Sequence, residues 1–103
     1  MILFPFAPHY GTGQNVAPAA GAASVSINAT DKCVRLRNTG ATNICYVKIG
    51  TAAQIAASAA TVADLGIGPG ETVIVYKGDG PDTLSHISAL GTTLTFMTGD
   101  NGS

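Results

Sequence analysis

Asp82, Ser85 and His86 lie close together and supply the three residue types of a nucleophilic relay, in which a hydroxyl attacks, an imidazole takes its proton and a carboxylate orients the ring. The segment 83–89 alternates like a strand, however, and neighbours along a strand point to opposite faces, so Ser85 and His86 diverge. His86 is expected on the surface as the cross-strand partner of Thr95, and the chain is read as no enzyme. Gly66, Gly68 and Gly70 are spaced like a phosphate-cradling loop, but Lys-Ser/Thr does not follow and the segment runs into strand-like Glu71 to Lys77; a turn is expected instead. Asp79 and Asp82 offer two oxygens to a cation that takes 6–8 ligands, so an exposed turn is the better reading. Asn28-Ala-Thr30 and Asn101-Gly-Ser103 match the glycosylation pattern, and the apolar N-terminus, with Pro5 and Pro8 and without a basic start, does not read as a secretion signal.

The two cysteines, Cys33 and Cys45, form neither a Cys-x-x-Cys motif nor a cluster with histidine, which argues against a structural zinc site or a disulfide scaffold. No cofactor or metal is expected. Cys45 is read as a small buried hydrophobe.

The elements carrying these residues are short. Runs rich in β-branched residues recur between Gly, Asn, Asp and Pro, and strands are expected near 24–28, 32–37, 44–49, 72–77, 83–89 and 92–97. That spacing predicts an all-β fold, an antiparallel β-sandwich or barrel. Pairing 32–37 with 44–49 so that Leu36 faces Cys45 and Val34 faces Val47 puts Val34, Leu36, Cys45, Val47 and Ile49 on one face. Arg35, Arg37, Tyr46 and Lys48 then share the other face, with Arg35 across from Tyr46. A second hairpin, with Ala89 opposite Thr92, would turn Ile87, Ala89, Leu94 and Phe96 inward and His86, Thr93 and Thr95 outward. Leu90-Gly91 makes either its tight turn or part of a longer turn with a bulge. The alanine-rich stretch 51–64 reads either as a short helix or as a long excursion with one extra strand.

The chain has 103 residues, 46% hydrophobic and only 11% charged, with a net charge of -1. One domain fits that length, and so few charges argue for a surface partly covered by partners. The charge balance argues against nucleic acid, and no apolar run is long enough to span a bilayer as a helix. Four of the five basic residues, Lys32, Arg35, Arg37 and Lys48, precede five of the six acidic ones, which predicts an electrically two-sided molecule.

Residues 1–23 read as an extended N-terminal arm and linker, and 24–103 as the sandwich domain. The arm holds Ile2, Leu3, Phe4, Phe6 and Tyr10. Burying its first four large apolar side chains gains about 6–12 kcal/mol in all, whereas ordering the backbone costs about 1–2 kcal/mol per residue. The two nearly cancel, so the arm is expected to order in a prepared groove, either on a neighbouring subunit or as the first strand of its own sandwich.

The succession Cys33-Val-Arg-Leu-Arg-Asn38, Cys45-Tyr-Val-Lys-Ile-Gly50, Gly68-Pro-Gly-Glu71, Thr83-Leu-Ser-His-Ile-Ser-Ala89 and Thr93-Leu-Thr-Phe-Met-Thr-Gly99 resembles the small β-sandwich head decoration, or cement, proteins of tailed bacteriophages. That resemblance implies a jelly-roll-like sandwich that sits on the capsid exterior as a homodimer or homotrimer and bridges neighbouring major capsid proteins. It also implies synthesis in the bacterial host cytoplasm. The expected partner interface comprises Ile2, Leu3, Phe4, Phe6, Tyr10, Arg35, Arg37, Tyr46 and Lys48. The rival reading is a receptor- or carbohydrate-binding module of a phage tail or fibre, for which Tyr46 and Tyr76 would be the exposed rings.

Overall fold

The computed structural model describes residues 7–100, so Ile2, Leu3, Phe4 and Phe6 lie outside the described residues. In chain order the elements are β1 (Ala7–Pro8), β2 (Gln14–Val16), β3 (Ala23–Ser26), β4 (Cys33–Asn38), β5 (Cys45–Gly50), α1 (Ala52–Ala57), β6 (Leu65–Ile67), β7 (Thr72–Tyr76), β8 (Thr83–Ile87) and β9 (Leu94–Asp100). One sheet has the order β2-β9-β4-β7, with β1 also on the free side of β9; the other has the order β3-β8-β5-β6. Every pairing is antiparallel. Strands β2 to β9 thus follow the jelly-roll order of two interleaved Greek keys, an all-β sandwich.

The core is the seam between the sheets. Val34, Leu36, Leu94 and Phe96 from one sheet meet Cys45, Val47, Ile67 and Leu84 from the other, and Ile27 closes one end. The alternation expected for 32–37 and 44–49 is present: Val34, Leu36, Cys45 and Val47 all face inward.

The neighbours differ from expectation, because neither hairpin exists. β4 pairs with β7 and β9, whereas β5 pairs with β6 and β8, so Leu36 lies opposite Phe96 and Val73, and Cys45 opposite Ile67. β8 and β9 likewise belong to different sheets, and Ala89 does not pair with Thr92. Each connection, 39–44 and 88–93, passes from one sheet to the other at the surface instead of doubling back. Six residues reach about 20 Å when extended, ample for the roughly 10 Å between packed sheets. Inward alternation is satisfied equally by a hairpin and by such an arch, so side-chain pattern alone could not separate them.

On β8 the expected face is also reversed. Leu84 joins the core, and His86, opposite the core residue Val47, points the same way, leaving Ile87 half-buried and Ala89 exposed. The outer side of β8 is covered too, since α1 and the chain after it lie over it and the Ala60 amide donates to Ser85 Oγ at 3.0 Å. With both sides buried, β8 gives no clean alternation to read.

The stretch 51–64 forms a short helix, and the extra strand, β6, follows it. Thr51 and Gln54 make a reciprocal capping box: the Gln54 amide donates to Thr51 Oγ1 at 3.2 Å and the Thr51 amide to Gln54 Oε1 at 3.0 Å. Ile55 anchors the helix against the sheet. The linker-like segment 11–23 contributes β2 and the buried Pro18, whose carbonyl accepts from Thr92.

Candidate docking surface

The groups singled out for chemistry are held apart. Ser85 Oγ is occupied as acceptor for Ala60 on the outer side of β8, and His86 faces the core, so their side chains diverge. Asp82 Oδ1 accepts from the neighbouring Thr83 hydroxyl at 3.1 Å. His86 pairs across from Val47 and Ala23, while Thr95 lies in the other sheet opposite Arg37 and Asn15, which corrects the expected His86–Thr95 pair. The β6–β7 segment is the expected turn, with the Glu71 amide donating to the Gly68 carbonyl at 3.0 Å. Beside Asp79 and Asp82, the Lys77 ammonium donates to the carbonyls of Ala29, Gly78 and Pro81, so a cation of the chain itself already fills that turn. Burial lowers the Lys77 pKa, against the pull of Asp31, Asp79 and Asp82. Among the described residues no cluster of three His, Cys, Asp or Glu could hold a metal, and no helix is long and apolar enough to cross a membrane.

Cys33 and Cys45 are both buried and unpaired with each other, and burial pushes both thiols up. Asn28 is engaged locally: its Oδ1 accepts from the amides of Thr30 and Asp31 and from the Thr30 hydroxyl, all at 2.9 Å.

The four expected interface residues of the sandwich do not share a face. Arg35 and Arg37 stand on the outer side of β4, flanked by Ile74 and Met97 and by Thr72 and Thr95. Tyr46 and Lys48 stand on the outer side of β5, in the opposite sheet, and Lys48 Nζ donates to the Ser58 carbonyl at 2.9 Å. The stacking of Arg35 on Tyr46 is therefore absent. Tyr10 is exposed just beyond β1, where His9 Nδ1 and Asp31 Oδ2 are 2.6 Å apart. Burial opposes ionisation of Asp31, but the Thr98 hydroxyl and the His9 ring, with Lys77 further off, outweigh it and hold the carboxyl below its usual value.

What the sheet carrying Tyr46 does present is an uncharged concavity of about 330 Å³, lined by Thr42, Asn43, Ile44, Tyr46, Val62, Ala89 and Leu90. Its apolar rim is unusually open: Leu90 is 83% exposed, Val62 63% and Ile44 42%. The local backbone explains the shape. Gly66 lies opposite Tyr46, and a Cβ there would stand 3.1 Å from the Tyr46 ring and 3.3 Å from Ile44, so the glycine lets both side chains lie close over β6, and a larger residue would push them back by a few tenths of an ångström. Gly91, at φ +86°, ends the turn whose amide returns to the Ser88 carbonyl, and this places Leu90 at its tip.

Behind that rim sits Asn38, fully buried at the end of β4. Its Nδ2 donates to the carbonyls of Asn43 and Ile67 at 2.8 and 2.9 Å, and its Oδ1 accepts from the Gly40 amide and the Thr92 hydroxyl at 3.0 and 2.8 Å. One side chain thus ties the 39–44 and 88–93 connections, which line the concavity, to the end of β6. Sequence reasoning took asparagine only as one of the residues that separate strands; nothing local distinguishes an asparagine that turns from one that bridges distant segments. Ile44, Val62 and Leu90 were not singled out as a surface, because Ile44 fell in an expected strand, Val62 at helical spacing in the alanine-rich stretch and Leu90 in a turn, and no local pattern shows that three such segments converge.

Comparison with family models, with curated proteins and with solved structures finds no match to this chain.

Proposed function

We propose that this chain is a non-catalytic structural protein of a phage particle that decorates or cements the capsid by bridging neighbouring major capsid proteins. The observation carrying this reading is the uncharged concavity rimmed by Ile44, Val62 and Leu90 on the outer side of a sandwich. Exposed apolar side chains grouped around a hollow, without a charge among them, have the character of the dry centre of a protein interface. Bridging contacts of this kind stabilise a shell by mass action, favouring the assembled state that binds. The jelly-roll order adds support by analogy, since the same architecture serves in viral capsid domains, although lectin domains share it. A glycan-binding role is less well supported: Tyr46 and Tyr76 stand on outer faces of different sheets and offer no common platform for a sugar ring.

The test is co-sedimentation of the purified chain with expanded shells of its phage that lack it. The wild-type chain should pellet with the shells, and a Val62→Asp/Leu90→Asp double variant should bind at least tenfold more weakly while keeping its urea midpoint. Equal binding by the variant would remove the concavity from the interface, and specific capture on a glycan array would favour the carbohydrate-binding alternative.

A further inference from the structure

β7 is an open edge. Among the described residues it pairs only with β4, and at five residues it is the longest edge strand, the others (β1, β2, β3 and β6) having two to four. Its residues, Thr72-Val-Ile-Val-Tyr76, are all β-branched or aromatic, with no charge and no proline. Edge strands are ordinarily shielded by charge, proline, brevity or a covering segment, because a free ladder of amides and carbonyls recruits another strand. None of these shields lies within β7.

The direction of its free groups is fixed by the ladder. Asn38 donates to the Glu71 carbonyl at 3.1 Å and Lys77 to the Lys32 carbonyl at 2.7 Å, so the odd-numbered residues of β7 aim their backbone groups at β4. Thr72, Ile74 and Tyr76 therefore aim theirs outward. Their side chains share the outer face of the sheet, where Ile74 is 52% and Tyr76 66% exposed. On the inner side the edge is also incompletely closed: Val75, Val47, Ile49, Leu65 and Tyr76 line a cleft of about 260 Å³ between β7 and β6.

We infer that β7 is a self-association strand, which joins antiparallel to β7 of a second copy of this chain about a two-fold axis through Ile74. In that register Ile74 faces Ile74 of the second copy, and Thr72 faces Tyr76. These are the residues with outward backbone groups, so all three outward-facing residues of each strand join the ladder. Val73 faces Val75, a β-branched pair, and at both ends Glu71 falls opposite Lys77, each already engaged within its own chain, so no like charges meet across the seam. The strand is thus complementary to its own reverse in hydrogen bonding and side-chain pairing, as an isologous interface requires. The inference is independent of capsid binding, because the concavity of Ile44 and Leu90 belongs to the other sheet and stays free in the pair.

The experiment is sedimentation equilibrium of the full chain across the micromolar range, without shells. A mass of twice 10.3 kDa is expected, and Ile74→Lys, at an exposed position, should weaken the association at least tenfold while the circular dichroism and urea midpoint stay unchanged. The register is read by cross-linking. Ile74→Cys would place its two copies about 5.5 Å apart between Cα atoms, within disulfide reach. Thr72→Cys would leave its copies about 14 Å apart along the strands, out of reach. Ready oxidation of the first variant and not the second supports the proposal. A monomer throughout the range, a trimer, an association indifferent to Ile74→Lys, or equal cross-linking at both positions overturns it.

Discussion

His86 stands directly opposite Val47 on the neighbouring strand, so an imidazole shares the inward face with a core valine. It is 5% exposed, and its Nδ1 is buried without a hydrogen-bond partner. Burial disfavours the charged ring and lowers its pKa below the ordinary value. Because the folded state binds the proton less readily than the unfolded one, the stability is fully present above about pH 6.5 and declines as pH falls from there toward the lower folded pKa. Urea midpoints measured at steps between pH 8 and pH 5 should show that decline, and His86→Leu should flatten it. A wild-type curve parallel to that of the variant would count against a buried neutral imidazole.

Asn38 makes four side-chain hydrogen bonds from a fully buried position. Replacing it with leucine strands the carbonyls of Asn43 and Ile67 and the amide of Gly40. The expected loss is about 2–4 kcal/mol in urea unfolding, with faster proteolysis of the 39–44 loop. A loss below about 0.5 kcal/mol would mean that these loops are held by other contacts.

The thiols provide a probe of closure. Cys33 and Cys45 are 4% and 0% exposed, and burial raises both pKa values, with Asp100 adding to the effect at Cys33. A disulfide reagent at pH 8 should therefore titrate neither in the native chain and both in denaturant. Rapid modification of either one in the native protein would show that its side of the sheet opens readily.

Every strand described in the two sheets lies within residues 7–100. A chain lacking residues 1–6 should therefore keep the jelly-roll circular dichroism spectrum, while losing affinity for shells if Ile2, Leu3, Phe4 and Phe6 belong to the interface, as expected from the sequence. Binding as tight as that of the full chain would confine attachment to the sandwich.

Much of the fold was legible before the structure. The six expected strands are all present, with ends shifted by up to three residues, because β-branched runs and turn residues act locally. The inward sets Val34/Leu36, Cys45/Val47 and Leu94/Phe96 were legible for the same reason: a period of two sorts side chains between faces wherever a strand lies. The Thr51-x-x-Gln54 capping box was equally open to reading, since its spacing alone specifies the reciprocal bonds, yet the alanine run around it left helix and excursion undecided.

Only the tertiary structure decided which strand lies beside which. Ladder hydrogen bonds join backbone groups that every residue carries, so the chemistry of Leu36 does not choose between Cys45 as a neighbour within its sheet and Phe96, its actual one. The choice goes with connections that pass from one sheet to the other and with buried polar bridges, Asn38 to Ile67 and Ser85 to Ala60, whose partners are 29 and 25 residues apart in sequence. The apolar pattern is a local property and determined which side chains turn inward. Adjacency is a property of the closed core as a whole, because only simultaneous packing of both sheets distinguishes an arch from a hairpin.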